Sequence, residues 1–317
     1  MDILYMVFQQ AMFFTIPLLL VALGGMFSER SGIINIALEG IMSLGAFTSI
    51  LFISLTNGVL SGQLQLILAI LVAVVTGIVF SMLHAFASIN MKADQTISGT
   101  ALNMFAPAFA IFVARRITGT QQIQFMNTFR IESVPVLGDI PFIGPLFFQN
   151  CYITTYLGFL ILIISVIVLY KTRFGLRLRA CGEHPQAADS VGINVYKMQY
   201  AGVIISGALG GLGGLVFVVP TSTNFNASVA GYGFLALAVL IFGQWHPVKI
   251  FGASIFFGLM KTIAATYSSI PVLSTSGIPS YVYKMIPYIA TLIVLVFTSK
   301  HSQAPKAEGI PYDKGAR

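Results

Sequence analysis

Long apolar stretches separated by short polar segments make up almost the whole chain. Because a helix needs about 20 apolar residues to cross a bilayer, these stretches predict about nine spanning helices. The two longest stretches hold two helices each and break near Thr56–Gln63 and Pro220–Asn226. The charge-free stretches cover residues 3–28, 40–91, 95–114, 140–170, 198–248 and 262–283, and a last apolar segment covers 283–299.

The same pattern divides the chain into domains. Residues 1–299 are predicted to form one transmembrane domain, interrupted by an outer loop at 115–150 and a cytoplasmic loop at 171–197. The outer loop contains prolines and short apolar pieces, so we expect it to fold back as a lid or a re-entrant element. Residues 300–317 are polar and are predicted to be a mobile tail on the cytoplasmic side.

Composition agrees with an all-α, multi-pass membrane protein, since 56% of the residues are hydrophobic and only 9% are charged, against about 25% charged in soluble domains. The net charge of +7 could indicate nucleic-acid binding, but the positive-inside rule explains it better. That rule predicts the N-terminus outside and the C-terminus inside. The residues then assigned to the cytoplasm are Arg30, Lys92, Lys171, Arg173, Arg177, Arg179, Lys197, Lys249, Lys300, Lys306, Lys314 and Arg317.

One apolar stretch carries a regular row of polar side chains. Four polar residues recur at every fourth position: Ser31, Asn35, Glu39 and Ser43. If the chain is helical from about Ser31, they share one face, since four residues advance about 400° around a helix. A carboxylate in the bilayer costs about 3 kcal/mol. Asn35 and Glu39 therefore either line a translocation path or fix helix packing, with Glu39 bound to Arg30 or to neighbouring backbone.

A second polar row lies on residues 94–105. Thr96, Thr100 and Asn103 share a helical face, and Asp94 stands at the N-cap position. Neutral donors and acceptors suit a polar, uncharged solute better than an ion. The candidate path residues are Asn35, Glu39, Ser43, Thr100 and Asn103.

The cytoplasmic loop at 171–197 contains a short predicted helix. Pro185 suits its first turn, and Gly192 suits a left-handed stop. The apolar face consists of Ala187, Ala188 and Val191, and the polar residues around it are Glu183, His184 and Asp189. A two-turn helix is unstable alone in water. It therefore packs either on its own membrane domain or in a groove on a soluble partner.

No sequence motif indicates catalysis. The chain has no GxxxxGK[ST] or HExxH pattern, no metal-ligand spacing, and only scattered histidines. We therefore expect no catalytic residues, no metal and no cofactor bound by this chain. A transporter driven by ATP would need its ATPase on another subunit, and the short helix would be the natural contact for that subunit.

Three segments resemble a known family. GEHPQAADSVGINV (residues 182–195) resembles the cytoplasmic coupling segment of ABC importer permeases of the ribose, branched-chain amino acid and nucleoside type. FSERSGIINIALEGIMSLGAF (27–47) and GYGFLALAVLIFGQWHP (231–247) resemble the nucleoside and simple-sugar branch. The resemblance covers roughly Leu18 to Thr298.

The resemblance implies a fold, a function and partners. The fold is a type II ABC importer-like bundle in the bacterial cytoplasmic membrane, which imports nucleosides or a simple sugar by alternating access. The partners are a second permease subunit in a heterodimer, a cytoplasmic ATPase that binds the ATP, and an extracytoplasmic substrate-binding lipoprotein. The residues that inherit the coupling role are Glu183, His184, Pro185, Ala187, Ala188, Asp189 and Gly192.

Two other functions stay open at the level of sequence. An ion- or proton-coupled secondary transporter would need a titratable group in the membrane, and Glu39 is the one good candidate. A structural subunit that does not transport is the third possibility.

Overall fold

The computed structural model describes residues 2–60, 62–269, 279–298 and 303–315, and most of them are helical. The helices are α1 (Asp2–Glu29), α2 (Leu38–Leu55), α3 (Gly62–Ala85), α4 (Gln95–Thr118), α5 (Ile153–Lys171), α6 (Arg173–Glu183), α7 (Pro185–Ser190), α8 (Val195–Thr221), α9 (Tyr232–Phe242), α10 (Pro247–Thr266) and α11 (Ser280–Thr298). A π-helical segment extends α3 over Phe86–Asn90, a second covers Gly144–Phe148, and one 3₁₀ turn follows α10 at Tyr267–Ser269.

Within the described ranges, seven helices are long and apolar enough to cross a membrane: α1, α2, α3 with its extension, α4, α5, α8 and α10. The predicted breaks in the two longest apolar stretches are confirmed, since α2 and α3 are separate helices, as are α8 and α9. The predicted span at 262–283 is wrong, because α10 begins at Pro247 and ends at Thr266. Lys261 lies inside this helix, so the limits of a charge-free stretch do not mark the ends of a helix. Residues 270–278 lie outside the described ranges.

The core is built around α1 and α8. Every residue from Leu18 to Leu23 in α1 is fully buried, and α1 packs against α5, α8, α9 and α10. Glycines let the α8 backbone approach α2 and α3 closely: a Cβ on Gly211 would overlap the Ala73 carbonyl, and one on Gly214 would overlap the Met42 carbonyl. The glycine-rich part of α8 therefore serves helix packing.

The segment between α4 and α5 folds into short antiparallel strand pairs. Strand β1 (Ile123–Gln124) pairs with β4 (Asn224–Phe225), with Ile123 opposite Phe225. Strand β2 (Ile131–Ser133) pairs with β3 (Gln149–Cys151), with Ile131 opposite Cys151. The β1–β4 pair ties this segment to the connection between α8 and α9.

The described part of the tail, residues 303–315, is packed against the protein, so the predicted mobile tail is wrong there. Its backbone donates hydrogen bonds from Ala307 to the Gly182 carbonyl, 2.9 Å, and from Gly309 to the Gly32 carbonyl, 3.1 Å. The Tyr312 side chain is 5% exposed. Residues 300–302 and 316–317 lie outside the described ranges.

Candidate functional site

The helix break between α8 and α9 brings irregular backbone into the bundle. Helix α9 has 11 residues, about 16 Å at 1.5 Å per residue, roughly half of the ~30 Å hydrocarbon core. Its N-cap is Gly231, whose φ of +77° is left-handed and favours glycine. Irregular backbone at membrane depth is tolerated where it is buried in protein or lines a water-filled cavity.

Glu39 holds the start of α9. Its Oε1 accepts a hydrogen bond from the Gly231 amide, 2.9 Å, and its Oε2 accepts one from the Gly233 amide, 2.7 Å. This approach needs a glycine at 233, because a Cβ there would overlap the Glu39 backbone. The negative carboxylate also complements the positive end of the α9 dipole. We call this contact the α2–α9 junction.

The predicted polar row from Ser31 to Ser43 is wrong as one helical face. Helix α2 begins at Leu38, so Ser31 and Asn35 lie in the turns before it. Asn35 is fully buried and donates through Nδ2 to Ser206 Oγ on α8, 2.8 Å. Ser43 lies on α2 and donates to the Ala227 carbonyl, 2.7 Å, next to the α2–α9 junction.

The second polar row lies on α4, as predicted, and the Asp94 N-cap is confirmed by its bonds to the Thr96 and Ile97 amides. Asn103 joins α4 to α2: its Oδ1 accepts from the Gly40 amide, 2.7 Å, and its Nδ2 donates to the Ile36 carbonyl, 2.8 Å. Thr100 is exposed and donates to the carbonyl one turn earlier, 2.8 Å. All five candidate path residues thus have a partner within the chain, and their role in solute passage stays a prediction.

The charged residue Lys261, on α10, lies next to the α2–α9 junction. Its Nζ is 5.3 Å from the centre of the Tyr232 ring, directly after the α2–α9 junction, and 5.1 Å from the Tyr288 ring on α11. The sequence signal for Lys261 is a single lysine inside an apolar run.

Two further polar residues went unnoticed in the sequence. The His84 ring bonds the Ile34 carbonyl, 2.8 Å, and Gln95 accepts from the Ile34 amide, 2.7 Å. Both hold the turns before α2, and no spacing in the sequence connects them to that segment.

The second candidate site is α7, on the loop between α6 and α8. Pro185 begins this helix, and Gly192 follows it with φ +82°, so the predicted start and stop are confirmed. The His184 side chain caps it by accepting from the Ala187 amide through Nδ1, 3.2 Å.

The predicted apolar face of α7 is wrong as a unit. Ala188 is 3% exposed and packs inward with Cys181, Val195 and Tyr312. Ala187 is exposed, and Val191 is 73% exposed. Ala187 and Ala188 are about 100° apart around the helix, and Val191 follows its last residue, so α7 packs on its own domain through Ala188 while Ala187 and Val191 face outward.

Charged residues around α7 contact segments from other parts of the chain. Arg30 lies 3.5 Å from Glu183 and donates to the Trp245 carbonyl from Nε and Nη2, 3.3 and 3.1 Å. Pairing of Glu39 with Arg30 is therefore wrong. Asp189 lies 3.8 Å from the exposed Lys314, a contact that contributes about 0–1 kcal/mol in water.

The tail covers this region, and burial shifts two pKa values there. Burial raises the pKa of the Cys181 thiol to about 11. Burial raises the pKa of Glu308 to about 7, against the opposing effects of a hydrogen bond with Glu29 and the charge of Arg30. When the tail is packed, the neutral form of Glu308 is therefore favoured below about pH 7.

Comparison with known proteins identifies the relatives of this chain. The family described as the permease component of branched-chain amino acid transport systems matches residues 7–295. The guanosine ABC transporter permease protein NupQ of Bacillus subtilis is 45% identical over 100% of this chain and 99% of its own length. The nucleoside ABC transporter permease protein NupC of Lactococcus lactis is 43% identical over 95% of this chain and 94% of its own length.

A second Lactococcus lactis protein also matches. The nucleoside ABC transporter permease protein NupB is 24% identical over 93% of this chain and 80% of its own length. No solved structure matches the chain.

Proposed function

The chain belongs to the family of branched-chain amino acid transport system permease components, and we propose that it is the membrane subunit of an ATP-driven importer of nucleosides. The observation that carries this proposal is the 45% identity, along the whole chain, to a permease described as a guanosine transporter. A simple sugar is the less favoured solute, since the relatives at 43% and 45% identity carry nucleoside and guanosine names.

We further propose that a second, different permease completes the path. Two permeases of one organism, at 43% and 24% identity to this chain, support a heterodimer. A cytoplasmic ATPase would supply the energy, and an extracytoplasmic lipoprotein would deliver the solute. With α11 added to the seven long helices and α9 reaching about halfway across, the bundle would hold nine membrane helices, with its N-terminus outside and C-terminus inside.

In this mechanism α7 is the contact for the ATPase. ATP binding would close the ATPase dimer and move α7, whose inner face is anchored through Ala188. The membrane helices would then switch the path from inward-facing to outward-facing, and hydrolysis would reset them. Such coupling requires that the ATPase binds the two states of the permease differently.

The Glu39 contacts argue against the proton-coupled alternative. Both carboxylate oxygens of Glu39 already accept amide hydrogen bonds, so the side chain is fixed at the α2–α9 junction and has little freedom to relay a proton. ATP-independent uptake by this chain alone, driven by an ion or proton gradient in liposomes, would overturn the proposal.

The direct test is gentle purification of the tagged protein with its partners, followed by reconstitution in liposomes. We expect an ATPase, a second permease and a lipoprotein to be recovered, and uptake of radiolabelled guanosine to require ATP. Recovery without an ATPase, or uptake without ATP, contradicts the proposal.

A pair of variants tests the docking helix. Val191→Glu places a charge on the outward side of α7 and should reduce recovery of the ATPase about tenfold or more, as expected for an interface residue that costs more than 1.4 kcal/mol. The matched control is Val136→Glu, also on a highly exposed valine (79%) but in the segment between α4 and α5. It should leave ATPase recovery unchanged. Equal recovery for both variants would contradict docking through this side of α7.

A further inference from the structure

Lys261 places a positive charge within the apolar helix α10, five residues before its last residue, Thr266. It stands fourteen residues after Pro247, the first residue of α10, which corresponds to about 21 Å along the helix axis. A hydrocarbon core of about 30 Å therefore contains its position when α10 spans the membrane. Ionisable residues at such depth face the bundle interior or a water-filled cavity rather than lipid.

Lys261 has aromatic neighbours but no acidic partner among the described residues. The ion pairs found there use Arg30, Lys92 and Lys314 instead. The undescribed residues 270–278 contain no Asp or Glu in the sequence. Glu39, the acidic residue of the α2–α9 junction, is bound to the Gly231 and Gly233 amides.

The two tyrosines around Lys261 differ in exposure. Tyr232 is 2% exposed, packs with its ring centre 4.0 Å from that of Phe217, and its hydroxyl has no hydrogen-bond partner within the described ranges. Tyr288 is 54% exposed. The cation is thus held between a buried ring and an open ring, where cation–π attraction offsets only part of its desolvation.

A series of contacts, here called the polar row, runs across the bundle from α4 through α2 and α9 to Lys261 on α10. Asn103 contacts Gly40 on α2, the adjacent Glu39 holds Gly231, and the next residue, Tyr232, contacts Lys261. A helix that starts inside the membrane beside such a row is the usual setting of a transporter binding site. The row therefore indicates that Lys261 faces the solute path.

We propose that Lys261, Tyr232 and Tyr288 form a solute-contact site for a neutral, ring-bearing molecule with a carbonyl acceptor on its ring. The open Tyr288 ring would stack on the solute ring, and the Lys261 ammonium, which has three donors, would bind its acceptor. The inference rests on the proposed function, since a nucleobase combines a flat ring with such an acceptor. Beyond that function, the inference names the residues that recognise the base of the nucleoside.

The experiment uses the complete transporter in liposomes with saturating lipoprotein, so that delivery does not limit the rate. ATP-driven uptake of guanosine is compared with that of purine riboside, whose base lacks the carbonyl and amino groups. Lys261→Met should lower guanosine uptake about ten- to hundredfold, the loss of one hydrogen bond from a charged group. The same substitution should lower the uptake of purine riboside less, so that the ratio of the two uptake rates changes. Lys261→Arg should restore part of the guanosine uptake.

A matched control and a second variant keep the result interpretable. Lys284→Met, at an exposed lysine on α11, should leave both rates unchanged. If Lys261→Met fails to assemble, Tyr288→Ala, at an exposed side chain, should still lower uptake of both solutes through lost stacking. Wild-type rates for Lys261→Met, an equal loss for both solutes, or wild-type rates for Tyr288→Ala would overturn the inference.

Two other outcomes would indicate a different role for Lys261 or a different function of the protein. If Lys261→Met loses the second permease during purification and Lys261→Arg retains it, Lys261 binds a partner carboxylate, and the solute-contact site is refuted. If the wild-type complex itself does not transport guanosine, the proposed function fails, whatever the variants do.

Discussion

Removing the Glu39 carboxylate should destabilise the junction that holds α9 in place. Two amide hydrogen bonds, 2.9 and 2.7 Å long, end on this side chain. Hydrogen bonds to charged groups contribute about 1.5–3 kcal/mol each, so Glu39→Ala should cost about 3–6 kcal/mol. Glu39→Gln keeps one acceptor oxygen but turns an NH₂ group toward the second amide, and should cost about half as much.

The assay is the midpoint of thermal unfolding of the detergent-purified complex, measured as the loss of monodisperse protein on heating. Ser43→Ala is the matched control, since it removes one neutral hydrogen bond, to the Ala227 carbonyl, from the same region, at a cost of about 1 kcal/mol. We expect the midpoint to fall most for Glu39→Ala, less for Glu39→Gln and least for Ser43→Ala.

The result also decides between the two interpretations of Glu39. A packing role predicts that guanosine uptake and thermal stability fall together across this series. A path role predicts that Glu39→Gln loses uptake while its unfolding midpoint stays at the wild-type value. An unfolding midpoint for Glu39→Ala within the error of the wild type would refute the reasoning from the two hydrogen bonds.

Three further predictions concern the core and the tail. Gly211→Ala should destabilise the bundle by about 1–3 kcal/mol through overpacking against the Ala73 carbonyl, seen as a lower unfolding midpoint, whereas an unchanged midpoint would contradict the close packing. Tyr312→Ala should uncover Cys181 and speed its labelling by maleimide, while Tyr312→Phe should not; equal labelling rates would contradict tail packing. The pKa of Glu308, raised to about 7 by burial, lies above its ordinary value of about 4.5, so its contribution to stability is present at pH 4.5 and lost as pH rises to 7. Proteolysis of the tail should therefore accelerate between pH 5.5 and 8 in the wild type but not in Glu308→Gln, and a parallel pH dependence in both would refute this assignment.

Much of the local structure could be predicted from the sequence. Asp94 and Gly192 mark the start of α4 and the end of α7 because caps depend on side chains and backbone conformations within a few residues. The glycines of α8 allow close helix packing, and the absence of a side chain is likewise a local property of the sequence. The likeness of residues 182–195 to a known family segment is visible in the sequence because these residues are contiguous.

The polar residues of the membrane domain were harder to interpret. The four-residue spacing from Ser31 to Ser43 suggested one helical face, but tertiary contacts keep Ser31–Ala37 out of helix α2. His84 and Gln95 hold this segment through the Ile34 backbone. A helical period cannot reveal such bonds, because the partners come from distant parts of the chain.

The sequence by itself determined the membrane environment, the approximate number of helices, the breaks between them and the short helix α7, because hydrophobicity and capping act locally. Only the tertiary structure decided the partners of the isolated polar groups: Glu39 with the start of α9, Lys261 with two tyrosines, and the tail with Cys181. In an apolar bundle each buried polar group must find a partner or face water. Which partner it finds depends on how helices far apart in the chain come together.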